Sequence, residues 1–580
     1  MKRLLDAISM DTPKAVLERF GSLVRESGSE DERAAFHFLA GLLDQWGVPY
    51  QVHHPTLFLS VPKAAKLKLV EPVEKEIRAK NPAFSAITGH EWRSGEVVYV
   101  PTGFKKKWDN QKDASLEDLR QDSLSGKIIL TEGFPRPARI SELQKLGIIG
   151  AIFIHPGVNI HESICTPIWG APDLDTVENL PKLPVLMINR PDGEELIERI
   201  SEGRVEVQFQ THLQQGWFPC PLLDIFIEGT EEPDKYVLLH GHVDSWHYGL
   251  GDNATGNAAM IEMARVFYEN RRLLKRSLRI ALWPGHSTGR YAGSTWFADA
   301  FGLDLDENCI AQVNCDSPGC RWATSYQNMS WMSEVDSFCK TAILDAIGEE
   351  STGHRPPRAG DYSFHNIGLT AFYMLSSSIP DEVLREKGYY PVGGCGSNIE
   401  WHTEEDLIHI VDYDILQRDV KVYTASLYRI LNATLHPFQF VNTADEFIRT
   451  IQTYQEAAGE HFSLEPALEE ARELRAALAD FYRRIEPLQT RDIRDPQVKR
   501  ANQILRGLSR TLVPINFTRR GKFWHDPAID IPPLPDLAPA TTLPQLEVGS
   551  HRYRVTLTHL LRGQNRLVWT LRQAKRNLSL

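Results

Sequence analysis

Between residues 222 and 440 the chain alternates β-like runs with helical periodicity, and no other feature narrows its fold as far. The runs LLDIFIEGT, KYVLLHGHVDS, LRIALW, AQVNCDS and LTAFYML bracket the helical stretches GNAAMIEMARVFYENRRLL and MSEVDSFCKTAILDAIGEE. Strands joined through helices return in the same direction. The pattern therefore predicts an α/β fold with a mostly parallel central sheet flanked by helices. In such a sheet the loops after the strands' C-terminal ends collect at one edge, where α/β proteins place their chemistry.

The flanking segments differ in character. Residues 1–55 read as the N-terminal part of the same layer: SEDERAAFHFLAGLLDQW is helical to Trp46, Gly47 stops it, and alternation follows. Residues 56–220 mix short β-like runs with two helical pieces and read as a β-rich insert. Residues 221–440 form the central layer. Residues 441–580 are mainly helical, with the Pro-rich stretch DPAIDIPPLPDLAPATTLPQ before a last long helix. With 580 residues, a chain divided in this way is of ordinary size for several modules.

Composition excludes some functions. The net charge of −12 argues against a nucleic-acid partner. No apolar run approaches the roughly 20 residues of a membrane helix. The opening MKRLLDAISMDTPKAVLERF brings charges too early for a signal peptide. Seven cysteines, few and odd in number, fit reduced thiols, so a cytoplasmic location is expected.

Chemistry concentrates in LLHGHVDSWHYGLGDNATGNAAM. A strand delivers His242, Asp244 follows on the same side of an extended chain, and ten residues after His242 a Gly-flanked loop holds Asp252. AQVNCDS ends in Asp316, and NIEWHTEEDL places His402 before a helix. Imidazoles and carboxylates at strand ends suit a divalent metal of the zinc class, with Asp244 able to hold the His242 ring in one tautomer. Each residue also has an ordinary reading. Asp252 suits a helix N-cap, Asp316 a turn, and His402 a partner for Glu404 and Glu405.

Together HGHVDS, GDNATGNAA, NCDS, GDYSF and WHTEEDL resemble the M28 zinc peptidases, in the branch of glutamate carboxypeptidase II and the transferrin receptor. The resemblance implies a zinc aminopeptidase-like catalytic layer, a protease-associated (apical) domain as the insert, and a helical dimerisation domain. It implies that His242 and Asp316 hold one metal, Asp252 bridges two, His402 holds the second and Asp244 orients His242. Asp361 in GDYSF matches a position near the site. The implied cofactor is zinc, as one or two divalent ions, with manganese or another divalent metal as alternatives. The implied partners are a small-molecule or short peptide-like substrate and a second copy of the chain, with no membrane.

One segment departs from the family. After LRIALW the family carries two adjacent glutamates, a general base and a metal ligand. Here ALWPGHSTGRYAGSTW has no acid, and His286 and Ser287 stand in those positions. His286 is either the replacement base or a metal ligand completing a site with Asp252 and His402. Glu400, two before His402, is a candidate for the missing carboxylate and equally a solvent-facing acid. Arg355, Arg358, Arg519 and Arg520 are candidates to pair a substrate carboxylate. The Gly-rich loop YYPVGGCGSNIEWH reads as a lid or a plain surface loop, with Cys395 a candidate substrate contact. Three functions follow: an amide or peptide hydrolase with His286 as base, a different metal-assisted reaction such as a cyclase, lyase or small-molecule hydrolase, or a non-catalytic receptor-like binding protein.

Overall fold

The computed structural model describes residues 1–104 and 124–579. Strand β1 (Tyr50–His53) belongs to the central layer. The chain then leaves it for β2 (Thr56–Glu71), β3 (Lys75–Ile77), β4 (Arg93–Tyr99), β5 (Ile128–Glu132), β6 (Gly150–Ile154), β7 (Val185–Ile188) and β8 (Glu206–Pro219). It returns with β9 (Leu222–Ile227), β10 (Glu232–His242), β11 (Arg276–Trp283), β12 (Cys309–Asn314), the short pair β13 (Met329–Ser330) and β14 (Gly353–His354), and β15 (Thr370–Phe372).

The central sheet runs β1-β9-β11-β10-β12-β15. The pairs β10/β11, β10/β12 and β12/β15 are parallel, while β9 runs antiparallel to β11 and to β1. The sheet is therefore mixed at one side and parallel where the site residues emerge. Every residue of β11 and of β12 is buried, because helices cover both faces of this part of the sheet. One face packs against the helices Asp11–Phe20, Glu30–Trp46, Thr255–Glu269 and Tyr413–Asn432. The other carries Trp283, Phe297, Leu305 and Phe364. The helix Glu30–Trp46 is bounded as its sequence suggests: Ser29 caps the Glu32 N–H, and Gly47 takes the left-handed conformation.

The insert is hung on one paired position. His53, the last residue of β1, sits opposite Leu222, the first of β9. Immediately outward, β2 and β8 pair antiparallel from Thr56↔Pro219 to Glu71↔Glu206, a ribbon that leads into the sheet β3-β2-β8-β4-β5-β6-β7. Strands β4 to β7 are mutually parallel. Part of the expected insert, residues 105–123, lies outside the described residues. The C-terminal helices Phe440–Ala458, Glu465–Ile485, Pro496–Phe517 and His551–Arg576 pack on one another, and their apolar faces join the same cluster as the central layer. Among the described residues, no helix is long and apolar enough to cross a membrane.

Arg25 braces the loop that follows β10. Its side chain is fully buried, and the guanidinium donates to the carbonyls of Val243 (2.9 Å), Tyr248 (2.7 Å) and Gly249 (3.0 Å). Burial pushes its pKa down to about 10, against the pull of Asp406, Asp244 and Asp252. Arg25→Met keeps the length and strips the donors from three carbonyls, of which those of Val243 and Gly249 are buried. It is expected to cost about 3 kcal/mol or more, read as a lowered thermal midpoint of the full chain. An unchanged midpoint would contradict the bracing role.

Candidate functional site

Because β10, β11 and β12 run parallel, their C-terminal ends lie side by side. His242 pairs in register with Trp283, and His240 with Asn314. Three loops therefore start from one edge, carrying His242 at the end of β10, His286 three residues past β11 and Asp316 two past β12. The loop Leu250–Ala254 adds Asp252, and the approach from residue 400 adds His402. Two asparagines tie these pieces together. Asn253 donates to the Cys315 carbonyl (3.0 Å) and accepts from the Ser317 N–H (3.0 Å), and Asn257 donates to the His242 carbonyl (2.7 Å). A Cβ on Gly256 would lie 2.1 Å from Asn253 Oδ1 and 2.5 Å from the Cys315 carbonyl, so the close approach requires glycine.

Asp252 sits between two imidazoles. Its Oδ1 lies 3.1 Å from His242 Nε2 and its Oδ2 lies 3.1 Å from His402 Nε2. Asp316 Oδ2 is 3.8 Å from His242 Nε2. The tautomers follow from the far side of each ring. His242 Nδ1 is 2.8 Å from the Asp244 carbonyl, and His402 Nδ1 is 3.0 Å from the Glu162 carbonyl. A carbonyl only accepts, so each Nδ1 carries a proton and each Nε2 is the nitrogen turned toward Asp252. His242 Nε2 and Asp252 Oδ1 are buried with no hydrogen-bond partner, although they face each other. Two buried acceptors aimed at one point fit a cation held between them.

The charge balance points the same way. Burial opposes charge on His242, yet Asp244, Asp252 and Asp316 outweigh it and hold the ring's pKa well above the usual value. Burial likewise opposes ionisation of Asp252, and His242 and His402 overcome it, so the carboxyl stays well below its usual range. The centre calls for positive charge. His242, His286 and Asp316 each bring a ligand atom within 4.8 Å of the other two, the one His/Cys/Asp/Glu group of this kind among the described residues. His286 thus gathers with His242 and Asp316, and not with Asp252 and His402 as one sequence alternative had it.

His286 stacks on His242, ring centroids 3.8 Å apart and 13° from coplanar. Its Nδ1 lies 2.7 Å from Asp361 Oδ2. Asp361 is fully buried, and its Oδ1 accepts from Ser294 Oγ (2.9 Å). Burial opposes its ionisation, but His286 beside it brings the carboxyl down to about 2. The acid orients the ring with Nδ1 toward Asp361 and Nε2 away from it, an arrangement that suits a general base or a metal ligand.

Asp244 keeps its place beside His242, with its backbone carbonyl 2.8 Å and its Oδ1 3.6 Å from Nδ1, and its carboxylate also accepts the N–H groups of His286 (3.1 Å) and Ser287 (2.9 Å). Several sequence expectations are corrected. Ser287 is buried, and its N–H donates to Asp244 Oδ2. Glu400 is paired with Arg321 at 2.6 Å and does not restore the missing carboxylate. Asp361 is spent on His286 and Ser294 and is closed to substrate. Arg355 lies over the Phe517 ring (3.6 Å) and donates to the Asn516 and Ile531 carbonyls. Arg358 lies over Trp169 (3.8 Å) and donates to the Asp526 and Pro527 carbonyls. Both guanidiniums fasten the 516–531 segment instead of reaching for a carboxylate. Arg519 lines the cavity and is not excluded by its surroundings, and the backbone N–H groups of Arg519 and Arg520 donate to Asp526. Cys395 is buried against Asp406 (3.4 Å), and burial pushes its thiol up, which rules it out as a nucleophile. Asn253, in the NAT sequon, is fully buried and cannot carry a glycan.

A cavity of about 660 Å³ opens over the centre. Asp252, His286, Asp316 and His402 form its floor, and Phe134, Tyr291, Met374, Trp401 and Tyr454 are among its apolar walls. Gly393 and Gly394 of the Gly-rich loop line it, and that loop is pinned by Tyr390, whose hydroxyl lies 2.8 Å from His161 Nε2. Asp406 went unread in the sequence. Its carboxylate accepts the N–H groups of Gly251 (2.6 Å) and Asp252 (3.0 Å) and so sets the bridging acid, and burial lifts its pKa to about 7. It is the last of three consecutive acids in TEED, and nothing in the spacing singles it out.

Comparison with known proteins agrees with this geometry. Residues 225–425 match Peptidase family M28. A glutamate carboxypeptidase 2 homolog of Caenorhabditis elegans is 24% identical over 468 residues, 65% of this chain and 59% of that protein, so the match spans less than two thirds of the relative's length. Among solved structures, a Peptidase M28 precursor from Shewanella amazonensis superposes with a TM-score of 0.57 at 17% identity, covering 75% of this chain and 96% of its own. A zinc aminopeptidase from Bacillus subtilis gives 0.51 at 17% identity, covering 74% and 94%. At these identities the two structures speak to the fold.

The His286–Asp361 contact is testable apart from any activity. In selectively 15N-histidine-labelled protein, His286 is expected to show a protonated Nδ1 and a bare Nε2. Asp361→Asn is expected to shift it toward the other tautomer while the signals of His436, far away in the helical region, stay in place. An unchanged His286 pattern would contradict the assignment.

Proposed function

We propose that this chain, which belongs through residues 225–425 to peptidase family M28 in its glutamate carboxypeptidase II-like branch, is a metal-dependent hydrolase of amide or peptide-like bonds with His286 as its base. The observation that carries the reading is the 2.7 Å contact of His286 Nδ1 with Asp361, at the floor of a cavity beside His242, Asp252 and Asp316. His242, Asp316 and one oxygen of Asp252 would hold a divalent ion, zinc by analogy of donor set. A bound ion of this kind lowers the pKa of water and polarises a carbonyl. His402 and the other oxygen of Asp252 offer only two donors to a second ion, because no acid stands where the family has its second glutamate. One tightly held ion and a weaker second position follow.

In this reading His286 Nε2 takes the proton of the attacking water and returns it to the leaving amine. Asp361 keeps the Nδ1 proton in place and steadies the charge that the ring acquires. The walls exclude bulk water, and a cavity of about 660 Å³ admits a small molecule or a short peptide. A second reading, a cyclase, lyase or small-molecule hydrolase on the same centre, is supported by the same histidine. An imidazole that carries a proton between two substrate atoms suits reactions other than peptide hydrolysis. The β-rich insert fits a protease-associated domain, the C-terminal helices fit a homodimer interface, and the seven free, buried cysteines fit a cytoplasmic location.

Metal content separates the reading from a receptor-like one. Purified, dialysed protein is expected to retain about one equivalent of divalent metal, and metal-free protein with no affinity for zinc would favour a binding protein. His286→Ala is expected to keep that metal and lower kcat on aminoacyl or N-acyl amides by about 10²–10⁴-fold. Unchanged turnover would remove His286 from the mechanism.

A further inference from the structure

His402 is held from outside the central layer. Its Nδ1 donates to the Glu162 carbonyl at 3.0 Å, and its own carbonyl accepts the Glu162 N–H at 2.7 Å, so the two residues share a reciprocal backbone clamp. Glu162 belongs to the insert and lies 240 positions from His402. Its carboxylate is almost wholly buried and is met by Lys80 Nζ at 2.9 Å and His247 Nε2 at 3.1 Å. Lys80, also in the insert, reaches Glu404 at 2.9 Å and the Ile160 carbonyl at 2.9 Å. Arg78 reaches Glu404 as well, at 2.9 Å. Next door, His161 Nδ1 lies 2.6 Å from the Trp401 carbonyl, and Trp401 stacks on the His402 ring at 3.6 Å. Two insert segments, near residues 80 and 162, thus grip the chain on both sides of His402.

We propose that Glu162 and Lys80 are positioning residues for His402, so that the seating of the insert sets the metal affinity of the position His402 serves. The clamp fixes which nitrogen is bare and where the ring points. The Lys80 ammonium between Glu162 and Glu404 holds the clamp shut. A ligand imidazole whose far nitrogen is fixed by a carbonyl loses metal affinity when that support is released, typically 10–100-fold. The proposal rests on His402 being a metal ligand.

The test is a Co²⁺ titration of chelator-treated full chain, followed by visible absorption. Wild type is expected to show a tight phase and a weaker one. Lys80→Met is expected to weaken the second phase about 10–100-fold and leave the first in place. Lys80→Arg is expected to restore most of the loss, and His402→Ala to abolish the second phase. Should Lys80→Met misfold, His247→Gln, at the rim of the cluster, is expected to weaken the same phase to a smaller degree. If His402→Ala loses the second phase while Lys80→Met and His247→Gln match wild type, the positioning role is wrong and the ligand assignment survives. If both phases weaken together in Lys80→Met, its role is general structural support and the proposal fails. If wild type has no second phase, or His402→Ala keeps it, the ligand assignment fails and takes the proposal with it.

Discussion

Asp252 offers one carboxylate oxygen to His242 and the other to His402, each at 3.1 Å, and much of the molecule serves to keep it there. A buried carboxylate between two imidazoles needs positive charge beside it, supplied by a ring proton or by a cation, because all three groups have given up water. The surroundings make it tolerable. Asp406 accepts the Asp252 N–H, Asn253 ties the loop to Cys315 and Ser317, and Arg25 closes the adjoining loop from the N-terminal segment. Backbone carbonyls take the far nitrogens of both rings. What these supports cannot supply is the positive charge between the acceptors, and that is why the site reads as a cation centre.

The modular arrangement bears on the same point. The insert departs and returns at the paired residues His53 and Leu222, through a two-stranded ribbon. It is joined to the rest of the chain again beside His402, through the polar cluster of Lys80 and Glu162, and at Trp169, which packs on Tyr291 and donates to Ser363 Oγ at 2.8 Å. The helical region differs. Its apolar faces merge with the central cluster, so it moves as part of that body.

The sequence made the central layer legible because both of its periodicities are strong, and it made four of the five centre residues legible because each closes a strand or opens a loop. His286 stood out by the absence of acids around it. What stayed hidden depends on distance along the chain. The Asp361–His286 contact spans 75 positions and the Glu162–His402 contact 240, and no local pattern marks either. Glu400 was ambiguous for a related reason. Its spacing from His402 suits an extended segment, but the chain turns at residues 400–403, and Arg321 claims the carboxylate. The antiparallel β9 was also unreadable, since strand direction leaves no trace in a short apolar run.

The His286–Asp361 pair changes how the loss of the family's glutamates is to be weighed. A straightforward deletion of a carboxylate would leave the centre short of negative charge and of a proton acceptor. In the proposed reading the acceptor is an imidazole, with a carboxylate behind it. Asp361 can hold that buried charge because His286 and Ser294 both meet it. The stacking of His286 on His242 places the proposed base against a candidate metal ligand. A buried aspartate that orients a cavity-facing histidine is the arrangement that the proposed proton transfer needs.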